Sequence, residues 1–206
     1  SPNALRLVLE GDNAVKTVVD GVALAMNADS ILLTPGGCWH SHFNDSDTDS
    51  YWIDFLDVPL VQRLEPMFFD PFAEVYQTVS STPEQHQMLF ESRDVSALME
   101  SDSVSVGDSR SVTIPTPSLK TLELTVIEFN SHNHPLVIHE AANSVFAVIS
   151  GKGTIACDTL ASDWSRGDVF SLPLWHKAEL TGQSNARLLQ VSDRRMMRAL
   201  GFYRTA

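Results

Sequence analysis

Short apolar runs, each closed by turn residues, dominate the chain. Ala4-Leu5-Arg6-Leu7-Val8-Leu9-Glu10 stops at Gly11, and Ser30-Ile31-Leu32-Leu33-Thr34 stops at Pro35-Gly36-Gly37. Both read as β-strands bounded by tight turns. Tyr51 to Leu56 reads as a further strand, and Thr121 to Phe129 alternates apolar and polar residues like a half-buried one. Ser144 to Gly151 copies the pattern of Ala4 to Gly11 in register, and Gly167 to Pro173 repeats the strand and turn of the first half. Two short helices are expected after strands, Pro59 to Met67 and Asp193 to Leu200. Asp57 and Asp193 are their expected N-caps and Gly201 the C-terminal stop.

The pattern predicts an all-β chain of two barrels, residues 1–77 and 112–206, joined by a linker at 78–111. Two barrels of roughly 70–90 residues each lie near the lower end of domain sizes. Ser80-Ser81-Thr82-Pro83 and Ser101 to Ser105 make the linker polar, with a short helix possible between Glu84 and Glu100. Leu5 to Leu9 reads as a core strand with no lead-in. The first barrel is therefore expected to lack its N-terminal strands and to expose an unpaired edge. Ser1-Pro2 does not read as a natural start.

The net charge of −12, without a basic stripe, argues against nucleic acid as a partner. No apolar run is long enough to span a membrane, and no signal peptide is visible. The two cysteines, Cys38 and Cys157, form no metal or redox pattern, and a cytoplasmic setting fits them. An acidic chain does not steer anions toward itself, so an anionic substrate would need local capture.

The chemistry concentrates at Pro35-Gly36-Gly37-Cys38-Trp39-His40-Ser41-His42-Phe43-Asn44, which reads P-x-G-x2-H-x3-N. The turn delivers His40 to the start of a strand, where imidazole can bind a divalent metal. His42, two residues on, shares its face. A bare H-x-H is more often a surface feature than a site; the flanking P-x-G and Asn44 favour the metal reading. The stretch is similar to the second metal motif of a cupin barrel, or double-stranded β-helix. Asp29 stands where a glycine usually opens that motif.

With residues 1–70 and 112–206 taken together, the chain resembles the gentisate 1,2-dioxygenase family. This is a family of bicupin, iron(II)-dependent, ring-cleaving enzymes whose relatives act on salicylate and 1-hydroxy-2-naphthoate. The resemblance implies Fe(II) as cofactor, with His40 as one of three histidine ligands. The other two, an H-x-H, are expected just before Ser1. Arg6 would hold the substrate carboxylate through its guanidinium fork. His42 would contact substrate and handle a proton, and Asp54 would act beside it. Asp54, inside an apolar strand, is expected to be paired. The implied reaction opens the ring between the carboxyl-bearing and hydroxyl-bearing carbons, taking gentisate and O2 to maleylpyruvate. A homo-oligomer, tetramer or dimer, is implied as well.

In the second barrel the first-motif positions fall at Ile138 and Glu140 and the third at Ala178, or nearby after a short deletion, so that barrel is expected to be metal-free. His132-Asn133-His134 reads as a loop, His139 as pointing outward, and His176 as standing at the wrong offset. Arg194, Arg195 and Arg198 are expected to pair across an interface or with acidic surface rather than to bind substrate. Two other functions stay open: a salicylate or hydroxynaphthoate dioxygenase with the same constellation, and a non-catalytic cupin that has lost its metal site.

Overall fold

The computed structural model describes residues 2–131 and 134–206. His132 and Asn133 of the H-x-H loop lie outside the described residues, and His134 sits in an exposed bend. The chain divides into two compact units, Ser1–Asp94 and Val95–Ala206.

The first unit contains β1 (Ala4–Glu10), β2 (Val15–Val19), β3 (Val22–Ala25), β4 (Ile31–Thr34), β5 (His40–Asn44), β6 (Tyr51–Leu56), α1 (Val58–Leu64) and β7 (Leu89–Phe90). One antiparallel sheet runs β6-β1-β4-β7, the other β3-β2-β5. Leu5, Leu7, Leu24, Ile31, Leu32 and Leu33 are fully buried and form much of the core. The strand β1 is not an edge. It pairs with β4 on one side and β6 on the other, and among the described residues the expected unpaired edge falls at β6, which ends its sheet.

Helix α2 (Ser92–Asp102) leads into the second unit, which continues with β8 (Val104–Val106), β9 (Ser109–Thr113), β10 (Glu123–Phe129), β11 (Leu136–Ile138), β12 (Ser144–Ser150), β13 (Lys152–Cys157), β14 (Leu160–Ser165), β15 (Val169–Leu172), β16 (Ala178–Gly182), β17 (Arg187–Ser192) and α3 (Arg194–Ala199). Its sheets run β15-β12-β17-β10-β9-β8 and β11-β16-β13-β14. The serine-rich stretch read as an exposed linker therefore holds regular structure: β7 completes a sheet, α2 buries Val95 and Met99, and β8 and β9 extend another sheet.

The two units repeat one plan. Ala4 pairs with Leu56 as Ser144 pairs with Ser192, and each strand pair breaks register at the same step, Val8/Glu10 and Val148/Ser150. The glycines that follow are required by space. A Cβ on Gly11 would lie 2.2 Å from the Met26 carbonyl oxygen, and one on Gly151 2.6 Å from the Ala186 Cβ. Asp29 donates its N–H to the Val8 carbonyl as Gly167 does to that of Val148. Its φ of 64° shows the missing glycine replaced by a residue type that tolerates the left-handed region.

Helix α3 ends just before Gly201 as its punctuation predicts, but neither helix is capped as expected. Asp57 and Asp193 occupy the N-cap positions, yet neither caps with its side chain. Asp57 accepts hydrogen bonds from the Asn3 backbone N–H and amide at 2.7 and 2.8 Å, and Asp193 does the same for Asn143 at 2.8 and 2.7 Å. Each carboxylate closes a strand pair rather than a helix. Helix α1 stops at Leu64, short of Met67, because Glu65 turns left-handed at φ 62°.

Strand β10 departs from the half-buried reading, since every one of its residues is buried. Its acids survive burial because arginines meet them. Glu128 is cross-strand partner to Arg187 and Arg110, with contacts of 2.6 and 2.7 Å. Glu123 pairs with Arg198, Glu140 with Arg194, and Arg195 donates to the Thr116 and Leu119 carbonyls.

Burial pushes the Glu128 carboxyl up, but the hydrogen bonds and charges of Arg187 and Arg110 outweigh it and hold the group below its ordinary range. A depressed folded-state pKa contributes stability that is fully present above the unfolded value, about 4.3, and is lost as pH falls through the folded one. Glu128→Gln should therefore be less stable than the parent at pH 7, with the gap narrowing toward pH 3 in urea unfolding. A gap independent of pH would contradict the assignment.

Candidate active site

The first unit places Arg6, His40, His42 and Asp54 around one cavity of about 550 Å3. The volume lies within the usual range for small-molecule sites. Each side chain arrives by strand geometry. Arg6 and Asp54 are direct cross-strand partners on β1 and β6. His40 and His42 stand on one face of β5, opposite Val19 and Thr17 of β2, and their ring centroids lie 5.6 Å apart.

Arg6 is only 2% exposed on a strand of buried apolar residues. Its Nε lies 3.0 Å from Asp54 Oδ1, and its Nη1 donates to Thr34 Oγ1 at 2.5 Å. The ion pair is misaligned as a hydrogen bond, so Nε is a buried donor without an aligned acceptor. Desolvation lowers the Arg6 pKa and the Asp54 charge partly restores it. Arg6, not Asp54, is the buried member: the Asp54 side chain keeps 38% exposure.

The histidines keep an exposed edge yet stand among protein atoms and beside a cation. Burial and the Arg6 charge lower the His40 pKa against an opposing hydrogen bond to the Cys38 backbone. Burial, Arg6 and His40 push His42 down to about 4. His42 Nδ1 sits 3.0 Å from Thr17 Oγ1, which leaves Nε2 as its other ring nitrogen, and its ring packs 5.3 Å from Trp52. Cys38 is held as a thiol, its pKa pushed up to about 11 by burial and by Asp20. The cavity thus presents neutral imidazoles, one buried guanidinium and the Asp54 carboxylate paired with it.

Sequence reasoning missed the other half of the lining. Phe68, Phe69, Asp70, Phe72, Val75 and Tyr76 come from the irregular segment after α1. Trp39 Nε1 donates to the Asp70 carbonyl at 3.1 Å, Phe72 packs against Trp39, and Tyr76 against Phe43. The Gln77 side chain accepts from Gly21 N–H at 2.9 Å and anchors the segment's end. The run Phe68-Phe69-Asp70-Pro71-Phe72 was the available signal, an aromatic cluster in a segment without strand or helix period.

The described residues do not assemble an iron centre here. Among them, the one group of three His, Cys, Asp or Glu donors within 4.8 Å of one another lies in the second unit. In that unit the equivalent cavity positions are filled. Phe146 stands at the place of Arg6, Gln190 at that of Asp54, Ala178 at that of His40 and Leu180 at that of His42. Phe146 stacks on Phe170 at 5.1 Å, and Ile138 joins the same core. Glu140 is held by Arg194 and Tyr203, and His139 packs beside Trp175.

Comparison with known proteins gives the same frame. No family model matches the chain. It is 32% identical over 221 residues to a 5-aminosalicylate 1,2-dioxygenase of a Comamonas species, which covers 93% of this chain and 59% of that protein. It is 25% identical to a gentisate 1,2-dioxygenase of a Streptomyces species over 100% of this chain and 67% of that protein. A solved salicylate 1,2-dioxygenase mutant of Pseudoaminobacter salicylatoxidans superposes with a TM-score of 0.85 at 26% identity, covering 100% of this chain and 68% of that one. The chain thus spans about three fifths to two thirds of the length of these relatives. Two antiparallel units on one repeated plan define a bicupin. By sequence and by fold, the chain belongs to the gentisate 1,2-dioxygenase family.

The buried Arg6 charge yields a stability test. Removing its partner strands the charge, whereas replacing the charge with an apolar side chain of similar length does not. Arg6→Met should change stability by less than about 1 kcal/mol, while Asp54→Ala should cost about 1–3 kcal/mol, moderated by Asp54's solvent access. Urea midpoints of the two variants check this, and the reverse order contradicts it.

Proposed function

We propose that this chain acts in the dioxygen-dependent ring cleavage of a hydroxylated aromatic carboxylate, with gentisate, converted to maleylpyruvate, as the first candidate substrate. The observation that supports this best is Arg6, a buried guanidinium with an unaligned donor, opening on a cavity that also holds neutral imidazoles. A planar carboxylate entering beside Arg6 gains charge-assisted hydrogen bonds in a site where water competes poorly. The aromatic side chains of the segment after α1 flank the ring.

To His42 we assign taking or returning the proton of a ring hydroxyl, a role supported by its lowered pKa and its contact with Thr17. Asp54 balances Arg6 and so limits how tightly that cation holds an anion. His40 is the residue we assign to Fe(II), which in this reading supplies dioxygen activation; the donors described here are too few to hold it, and the requirement is proposed for the full encoded protein. The names of the relatives support the substrate class: 5-aminosalicylate, gentisate and 1-hydroxy-2-naphthoate. Solved neighbours include a salicylate 1,2-dioxygenase adduct with gentisate. Salicylate stays the second substrate reading because relatives named for salicylates match over almost the whole chain.

The test is oxygen uptake and iron content of the full encoded protein with gentisate, salicylate and 1-hydroxy-2-naphthoate, for parent and Arg6→Met. Loss of one charge-assisted carboxylate contact is expected to raise KM about 10- to 100-fold with iron content unchanged. Iron loss at constant KM would remove Arg6 from the carboxylate. A protein that binds no iron and consumes no oxygen would leave a cupin that binds small acids without catalysis.

A further inference from the structure

The second unit carries a donor set that the proposed reaction does not use. Cys157 ends β13, Asp158 begins the tight turn into β14, and His176 precedes β16. One ligand atom from each lies within 4.8 Å of both others, and His176 Nδ1 is 2.8 Å from Asp158 Oδ2. The sequence reading set His176 aside by its offset and saw no metal pattern in the cysteines; the fold brings the three together because Cys157 pairs with Ala178, two residues after His176.

We infer that Cys157, Asp158 and His176 form a binding site for a thiophilic divalent cation, Zn2+ by preference, at the rim of the second barrel. The donor chemistry is selective. One sulfur, one imidazole nitrogen and one carboxylate oxygen suit zinc and cobalt(II), and disfavour the hard cations magnesium and calcium. Zinc bonds of about 2.0–2.3 Å to these atoms set tetrahedral edges of roughly 3.3–3.8 Å, so the 2.8 Å His176–Asp158 contact would open by about half an ångström as the metal replaces it, a small side-chain adjustment. The fourth position stays open to solvent, because Asp158 and His176 are exposed.

The scaffold is fixed on both sides. Cys157 pairs with Leu160 and Ala178 across two ladders and packs against the buried core. The His176 arm is held by Trp175 N–H donating to the Glu140 carbonyl at 2.8 Å, and Glu140 is itself held by Arg194 and Tyr203. The first unit supplies an internal control. At the equivalent corner stand Val19, Asp20 and Cys38, and Asp20 hydrogen-bonds Cys38. An aspartate bonded to the loop residue is thus common to both units and needs no metal. A third donor, at the place of Val19, is present in the second unit alone.

Cobalt(II) titration of the 206-residue chain tests the site through the near-ultraviolet thiolate-to-cobalt absorption, which a histidine or carboxylate site elsewhere does not produce. The band should appear with one equivalent, be bleached by Zn2+, persist in Cys38→Ser and vanish in Cys157→Ser. His176→Ala should weaken cobalt binding by more than about tenfold, since even indirect metal partners cost that much. Circular dichroism of each variant confirms that the fold is retained. A missing band in the parent, a band that follows Cys38, or unchanged affinity in His176→Ala overturns the proposal. None of these outcomes depends on dioxygenase activity.

Discussion

A full positive charge sits at Arg6, in the middle of a strand whose neighbours Leu5, Leu7 and Val8 are sealed from solvent. Such a charge is tolerated only with a partner at a fixed distance. Asp54 provides it because β1 and β6 are held in one register, and the Asn3–Asp57 clamp closes that strand pair at its end. Burial first, and the field of this cation second, depress the imidazoles beside it, and the proposed capture of an anion rests on the same charge. Arg6 lowers the basicity of His40 and His42 by its field, and its Nε keeps an unfilled direction.

The second unit shows what the same skeleton becomes without that charge. With Phe146, Gln190, Ala178 and Leu180 at the corresponding positions, the interior closes on itself as a stacked aromatic core. Its charges have moved to β10, where Glu123 and Glu128 are matched by arginines from neighbouring strands and from α3. One plan thus supports a polar cavity in one unit and a packed core in the other, and four positions on paired strands account for the difference.

Much of this was legible in the residues. Strand periods, the repeated run ending at Gly11 and Gly151, the histidine pair and Arg6 between leucines are local patterns, and local patterns read directly. The equivalence of His40 and Ala178 also followed from spacing. Other features depended on partners far along the chain. Asp57 and Asp193 look like helix caps in sequence, but their carboxylates accept from Asn3 and Asn143 and make no cap hydrogen bond. The acids of β10 looked solvent-facing because alternation does not reveal arginines 18 and 59 residues away. The aromatic segment over the cavity has no period, and the Cys157–His176 approach exists only once β13 and β16 pair.

The most direct test of the central claim is a crystal structure of the full encoded protein with gentisate bound. The account predicts the substrate carboxylate on the Arg6 guanidinium, the ring among the aromatic residues after α1, and a ring hydroxyl facing His42. Gentisate bound elsewhere, or bound in this cavity with its carboxylate turned away from Arg6, would contradict it.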